Sequence, residues 1–213
     1  MTKRLVILIS GSGSNLQAFI DAINAGTLHA EIACVISNKA SVFGLQRAEK
    51  AGIPTLVLPH QNFATREDYD HALLAEVQKY EPDLVILAGF MRILTPVLVA
   101  PLYGKLMNIH PSLLPKYPGL HTHQRALDNG DSEAGVTVHF VSAELDGGPI
   151  IIQARVPVLP DDNADTLSKR VLEKEHKIYP LAALWFCEGR LRCDEHHAWF
   201  DEKILPLSGR SYL

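Results

Sequence analysis

Cysteine is scarce in this sequence. Only three cysteines, Cys34, Cys187 and Cys193, occur among 213 residues, and they are scattered. An odd, scattered set does not form a disulfide framework, and the absence of a CxxC pair excludes the usual redox and zinc motifs. We therefore expect a protein of a reducing compartment, the cytoplasm.

Long apolar runs and an excess of basic charge are also missing. The apolar run near the start, residues 5–9, is too short for the core of a secretory signal, and no run could span a bilayer. Lys and Arg number 20 against 24 Asp and Glu, a net charge of −4. This balance argues against a general nucleic-acid-binding protein but permits a local anion site. We expect small-molecule substrates, with no nucleic-acid or membrane partner, and either a monomer or a homodimer.

The apolar pattern predicts an α/β fold. Continuous apolar runs are typical of strands buried on both faces of a parallel sheet, and helical spacing between them predicts crossover helices. From residue 135 the pattern alternates, which predicts an antiparallel strand pair at the sheet edge, followed by a long helix over residues 165–188 and a small strand pair near Leu191 and Trp199. We therefore predict an open, mostly parallel twisted sheet with a Rossmann-like N-terminal half, extended by antiparallel strands and a long C-terminal helix. The predicted parallel strands cover residues 4–9, 31–37, 54–58, 83–88 and 106–110.

No linker-like stretch divides the chain. We therefore predict a single domain over residues 1–213. Within it, residues 1–105 form a phosphate-binding half, and residues 106–213 form a second half that holds the other polar candidates.

A glycine-rich loop follows the first predicted strand. Gly11 and Gly13 precede Ser14 and Asn15 at the start of a helix, where backbone N–H groups can bind a phosphate. Leu16 replaces the third glycine of the dinucleotide fingerprint, and the lysine of a P-loop is absent. The loop thus favours one phosphate monoester over a dinucleotide or ATP; a plain tight turn is the alternative.

Two polar residues end the strand over residues 106–110. Asn108 and His110 are two residues apart, so their side chains point to the same face. An amide donor beside an imidazole suits chemistry at a carbonyl, whereas the alternative is an ordinary strand end before a proline-rich turn. Because three prolines confine that turn, we predict a cis peptide bond between Leu114 and Pro115.

Two carboxylates also stand out. Asp146 precedes two glycines; next to His110 it would favour the imidazolium form, but it could equally belong to an Asp-Gly turn. Glu175 falls on the apolar face of the long helix, where a carboxylate needs a partner or a polar cavity, unless that edge of the helix is exposed. Pro180 is expected to kink this helix near His176.

The remaining histidines give weaker signals. His121 and His123 could form half of a metal site, but no further ligands stand at metal-binding spacing, so we expect no metal. His139 lies within a strand pattern and is expected to be a packed core residue.

Several segments together resemble the folate-dependent formyltransferases, above all those that act on glycinamide ribonucleotide. The segments are residues 9–15, 88–94, 108–122, 135–141 and 145–149. The resemblance implies transfer of the formyl group of 10-formyltetrahydrofolate, a co-substrate, to the amino group of glycinamide ribonucleotide in de novo purine biosynthesis.

Three alternatives remain beside this one. A 10-formyltetrahydrofolate hydrolase carries an additional N-terminal domain, for which a first strand at Arg4 leaves no room. A methionyl-tRNA formyltransferase adds an RNA-binding C-terminal domain that the acidic composition does not favour. A non-catalytic nucleotide-binding module would tolerate the loss of Asn108 or His110.

The resemblance also assigns roles to individual residues. The implied catalytic residues are Asn108, His110 and Asp146. Those implied to bind the ribonucleotide are Gly13, Ser14, Asn15 and Glu175. Those implied to contact the folate are Arg66, Met91, Arg92, Ile93, Leu94, Asn108, Val141, Ser142, Ala143, Glu144, Leu145 and Asp146.

Overall fold

The computed structural model describes residues 2–212, which form two compact units that divide between Asn108 and Ile109. The division falls within one strand, close to the predicted boundary between residues 105 and 106. The organisation of the chain as a single domain stays a prediction.

The first unit contains a parallel sheet. Its strands are hydrogen-bonded in the order β5-β4-β1-β2-β3, and every pairing is parallel. The residues of β4 and most of those of β1 are buried, as expected for strands covered on both faces. The predicted parallel sheet is therefore confirmed, with these bounds: β1 Lys3–Ile9, β2 Ala30–Ser37, β3 Thr55–Val57, β4 Leu84–Leu87 and β5 Leu106–His110.

Helices connect these strands. Leu16, Phe19 and Ile20 are the buried apolar residues of the first helix, as their spacing predicts. The third helix begins after Thr65, whose hydroxyl accepts a hydrogen bond of 3.0 Å from the backbone N–H of Asp68. The helices are α1 Ser14–Asn24, α2 Phe43–Lys50, α3 Arg66–Gln78 and α4 Pro96–Val99, with a short 3-10 helix at His60–Asn62.

The second unit contains the predicted antiparallel pair, β6 (Glu133–Phe140) and β7 (Ile150–Pro157). The prediction that this pair ends the sheet was wrong, because a further strand, β11 (Arg210–Tyr212), pairs in parallel with β7. β11 has only three residues, all with polar groups, and shows no apolar pattern, so it could not be recognised from the sequence.

Helices α5 (Thr122–Asp128) and α6 (Ala164–Cys187) belong to the same unit. Asn163 caps α6 through a capping box with Thr166, and the helix continues without a break through the buried Pro180; the kink stays a prediction. The small C-terminal sheet has three antiparallel strands rather than two: β8 Leu191–Cys193, β9 Ala198–Phe200 and β10 Lys203–Ile204. Over residues 2–212 no helix is long and apolar enough to cross a membrane.

Candidate active site

The glycine loop after β1 is held by α2. Gly44 N–H donates to the carbonyl of Gly11 at 3.0 Å, and Arg47 Nε donates to the carbonyl of Ser12 at 2.9 Å. In a trans peptide the N–H points opposite to the carbonyl, so the N–H groups of Ser12 and Gly13 point away from α2. Because the first turn of α1 contains no acidic residue, this face of the loop can accept an anion.

Two glycines allow this close packing. A Cβ on Gly13, which has a φ of 69°, would lie 2.7 Å from the Cα of Gly44. A Cβ on Gly44 would lie 2.5 Å from Ile9 Cδ1 and 3.1 Å from the Gly11 carbonyl oxygen. The loop was predicted from the sequence, but Gly44 and Arg47 were not, because nothing in the sequence shows which helix packs against the loop.

The segment over residues 91–94 is anchored at both ends. The N–H of Met91 donates to Ser10 Oγ at 2.8 Å, and Thr95 donates through its N–H and hydroxyl to Asp70 Oδ2 at 2.6 and 2.8 Å. Burial raises the pKa of the Asp70 carboxyl, against these hydrogen bonds. Between the anchors, Met91 and Ile93 are 67% and 53% exposed. The segment thus presents two exposed apolar side chains on a backbone that is fixed at both ends.

Arg66 is the exposed first residue of α3, the helix that also contains Asp70. The anchors Ser10 and Asp70 were not predicted from the sequence. A polar residue within a buried helix face is the signal that points to Asp70.

The tip of β5 contains Asn108 and His110. In the strand register Asn108 lies opposite Leu87 of β4. Asn108 is half-buried and His110 is buried, and their spacing on the strand directs both side chains to one face. The predicted pair therefore lies on a strand, as the sequence indicates.

Both ring nitrogens of His110 have defined neighbours. Nε2 lies 2.8 Å from the carbonyl oxygen of Tyr117, and Nδ1 lies 3.5 Å from Asp146 Oδ2. A carbonyl can only accept, so Nε2 is the nitrogen that donates to Tyr117, and Nδ1 is the nitrogen that faces Asp146. The two side chains are only 8% and 9% exposed, so the structure brings the predicted His110 and Asp146 together in a site largely closed to water.

Asp146 is also held by the proline-rich loop over residues 111–121. Its Oδ2 accepts a hydrogen bond of 2.9 Å from Gly119 N–H, and its backbone is left-handed with a φ of 53°. In the segment over residues 141–146, Val141 is buried and Leu145 is 57% exposed. The alternative of an isolated Asp-Gly turn does not account for a carboxylate directed at His110.

Two buried polar residues hold the backbone of the proline-rich loop. Thr137 Oγ1 donates to the Ser112 carbonyl at 2.7 Å and accepts from Leu114 N–H at 3.1 Å. Gln153 Nε2 bonds both Thr137 Oγ1 at 3.0 Å and the Leu114 carbonyl at 2.8 Å. The predicted cis bond between Leu114 and Pro115 is confirmed. Thr137 and Gln153 were not predicted from the sequence. A polar residue within an apolar strand is the signal that could have identified them, because a buried polar group needs a hydrogen-bond partner.

The other candidates have simpler surroundings. His139 is buried with Nδ1 2.8 Å from the Phe140 carbonyl, and burial lowers its pKa to about 4, so it is a neutral, packed histidine as predicted. Burial, and then the neighbouring His110, lowers the pKa of His123. Glu175 is buried on α6, as its place on the apolar face predicts. No group of three or more metal-binding side chains is found over residues 2–212.

Comparison with known proteins shows the family of this chain. A family model described as formyl transferase matches residues 3–183. The phosphoribosylglycinamide formyltransferase of Escherichia coli (strain K12) is 55% identical over 205 residues, covering 96% of this chain and 97% of that protein. The trifunctional purine biosynthetic protein adenosine-3 of Drosophila melanogaster is 52% identical over 189 residues, covering 88% of this chain and 14% of that protein.

Solved structures show the same likeness. The phosphoribosylglycinamide formyltransferase of Coxiella burnetii, in complex with CHES, has a TM-score of 0.96 and 47% identity, and the match covers 100% of both chains. Glycinamide ribonucleotide transformylase 1 of Symbiobacterium toebii has a TM-score of 0.91 and 44% identity, and the match covers 93% of this chain and 94% of that one. The chain is therefore an enzyme of the formyl transferase family.

Proposed function

We propose that this enzyme transfers the formyl group of 10-formyltetrahydrofolate to the amino group of glycinamide ribonucleotide, a step of purine biosynthesis. The observation on which the proposal rests is the buried contact between His110 and Asp146, with Asn108 two residues away on β5. An amide donor, an imidazole and a carboxylate supply what acyl transfer to an amine needs.

The reaction begins when the neutral amine of the ribonucleotide attacks the formyl carbon. A C–N bond forms and the carbonyl oxygen becomes an oxyanion, to which the Asn108 amide and protonated His110 Nδ1 donate hydrogen bonds. Removing one such donor typically costs about 3 kcal/mol of transition-state stabilisation.

Collapse of the intermediate breaks the bond between the formyl carbon and N10 of the folate. The amine nitrogen loses a proton and N10 gains one, so the transfer is balanced without a covalent enzyme intermediate. Asp146 compensates the imidazolium charge of His110 while this exchange takes place.

Binding roles complete the proposal. The backbone N–H groups of Gly13, Ser14 and Asn15 bind the ribonucleotide phosphate, and Glu175 binds the same substrate near its amine. Arg66, Asn108, residues 91–94 and residues 141–146 contact the folate. Support comes from the anion-accepting face of the glycine loop and from the anchored segment with exposed Met91 and Ile93.

We also propose that the enzyme works in the cytoplasm, as a monomer or homodimer, on small molecules and without a metal. Three cysteines that form no disulfide support a reducing compartment.

One assay tests the function and its nearest alternative. The enzyme is incubated with 10-formyltetrahydrofolate, with and without glycinamide ribonucleotide, and tetrahydrofolate release is followed. We expect release only when the ribonucleotide is present, with formylation of its amine. Release at the same rate without the ribonucleotide would identify a 10-formyltetrahydrofolate hydrolase instead.

A further inference from the structure

We propose that Asp131 is a positioning residue that controls which nitrogen of His110 holds the proton, acting through Tyr117. The inference deepens the proposed function, since it rests on His110 being the group that exchanges a proton. Asp131 lies three residues after the last residue of α5, and its N–H donates to the Ala126 carbonyl at 3.1 Å.

The Asp131 carboxylate holds the side chain of Tyr117. The tyrosine hydroxyl donates to Asp131 Oδ2 at 2.8 Å, and Lys116 Nζ lies 3.0 Å from Asp131 Oδ1. These contacts with Lys116 and Tyr117 lower the pKa of the Asp131 carboxyl, and Asp131 raises the pKa of the Tyr117 hydroxyl. At neutral pH the acceptor is therefore charged and the donor is protonated, which gives a strong hydrogen bond.

Tyr117 needs such support because its backbone is unfavourable. Its φ of 56° lies in the left-handed region, which side chains such as tyrosine rarely adopt. The Arg125 guanidinium lies 5.0 Å from the ring centroid, and Arg125 Nη1 donates to the Pro118 carbonyl at 2.6 Å. The side chain of Tyr117 is thus held by Asp131 and Arg125 while its backbone stays strained.

The strained backbone directs the Tyr117 carbonyl at His110 Nε2, 2.8 Å away. This bond keeps the proton of neutral His110 on Nε2 and leaves Nδ1 toward Asp146. If Tyr117 relaxes, the carbonyl turns away and the neutral ring can place its proton on either nitrogen. A neutral ring whose proton is on Nδ1 has no lone pair there, so it cannot accept a proton at Nδ1.

Nuclear magnetic resonance of ¹⁵N-labelled histidine tests the proposal without depending on activity. Two-bond ¹H–¹⁵N correlations report which nitrogen of neutral His110 is protonated, and a His110→Gln variant assigns its signals. We expect the Nε2-protonated form to dominate in the parent enzyme. In Tyr117→Phe and in Asp131→Ala its ratio to the other form should fall by roughly 10-fold, the effect of one charge-assisted hydrogen bond.

Asp128→Asn is the matched control. Asp128 is the last residue of α5 and lies close to Asp131 in the sequence, but its carboxylate accepts from the exposed Gln124 at 2.7 Å and not from Tyr117. The control should leave the proton ratio of His110 unchanged. An unchanged ratio in both Tyr117→Phe and Asp131→Ala, or an equal shift in Asp128→Asn, would overturn the inference.

Steady-state kinetics provides the second readout. We expect Tyr117→Phe to lower kcat by about 10-fold while the KM values of both substrates change by less than about 2-fold. A rise in KM with kcat unchanged would assign Tyr117 to substrate binding and would contradict the proposal. If no formyl transfer occurs in the parent enzyme, the proposed function fails, whereas the proton ratio of His110 still decides the positioning role.

Discussion

Replacing Thr137 by valine removes one hydroxyl from beneath the proline-rich loop while keeping the shape of the side chain. Thr137 is completely buried, and its hydroxyl takes part in three hydrogen bonds: with the Ser112 carbonyl, the Leu114 N–H and Gln153 Nε2. Each of these contributes about 1 kcal/mol to the stability of the fold.

The cost exceeds the three bonds themselves. The Ser112 carbonyl and the Leu114 N–H lose a buried partner, whereas Gln153 keeps its bond to the Leu114 carbonyl. A buried group without a partner costs a further 1 kcal/mol or so. We therefore expect Thr137→Val to lower the free energy of unfolding by about 3–5 kcal/mol, a large part of the stability of a typical domain.

Urea denaturation followed by tryptophan fluorescence measures this loss. Thr137→Ser is the control, because it keeps the hydroxyl and removes only a buried methyl group, which should cost about 1 kcal/mol. A loss below about 1 kcal/mol for Thr137→Val, or equal losses for the two variants, would refute the role of the hydroxyl network.

Three further predictions concern the site and its surroundings. His110→Ala should lower kcat by at least about 100-fold in a protein that still folds and unfolds cooperatively, although the Tyr117 carbonyl loses a buried partner, and full activity in this variant would remove His110 from the mechanism. Gly44→Ala should weaken binding of ribose 5-phosphate by about 10-fold in calorimetry, because its Cβ would push the glycine loop away from α2; unaltered affinity would show that the loop does not depend on this packing. Burial lowers the pKa of His139 to about 4, below its ordinary 6.5. Between these two pH values His139 is protonated in the unfolded chain but neutral in the folded protein. Stability should therefore fall by about 2 kcal/mol from about pH 7 to about pH 5 in urea titrations, and an equal fall in His139→Gln would contradict this assignment.

Local patterns were sufficient for much of the fold. Three features could be predicted without the structure, because each depends on residues close in sequence. They are the buried apolar runs of β1 and β4, the glycines that end the helices, and the alternating residue pattern of β6. The short strands β10 and β11 could not, because two or three mostly polar residues pair only where the rest of the sheet presents an edge.

The candidate site was predictable where its residues lie in one motif. Asn108 and His110 share a strand tip, and Gly13 to Asn15 share a loop, so spacing alone groups them. Asp146 could be named from the sequence only as a candidate, since 36 positions separate it from His110 in the numbering.

The sequence by itself determined the order of the parallel strands and of the helices between them, the glycine loop and the polar tip of β5, because hydrophobic period and turn chemistry act over a few residues. Only the tertiary structure decided that the Tyr117 carbonyl lies at Nε2 of His110 and that the Asp146 carboxylate faces Nδ1. It also decided that Thr137 and Gln153 hold the proline-rich loop. These contacts join residues distant in sequence, and their geometry follows from how the chain packs.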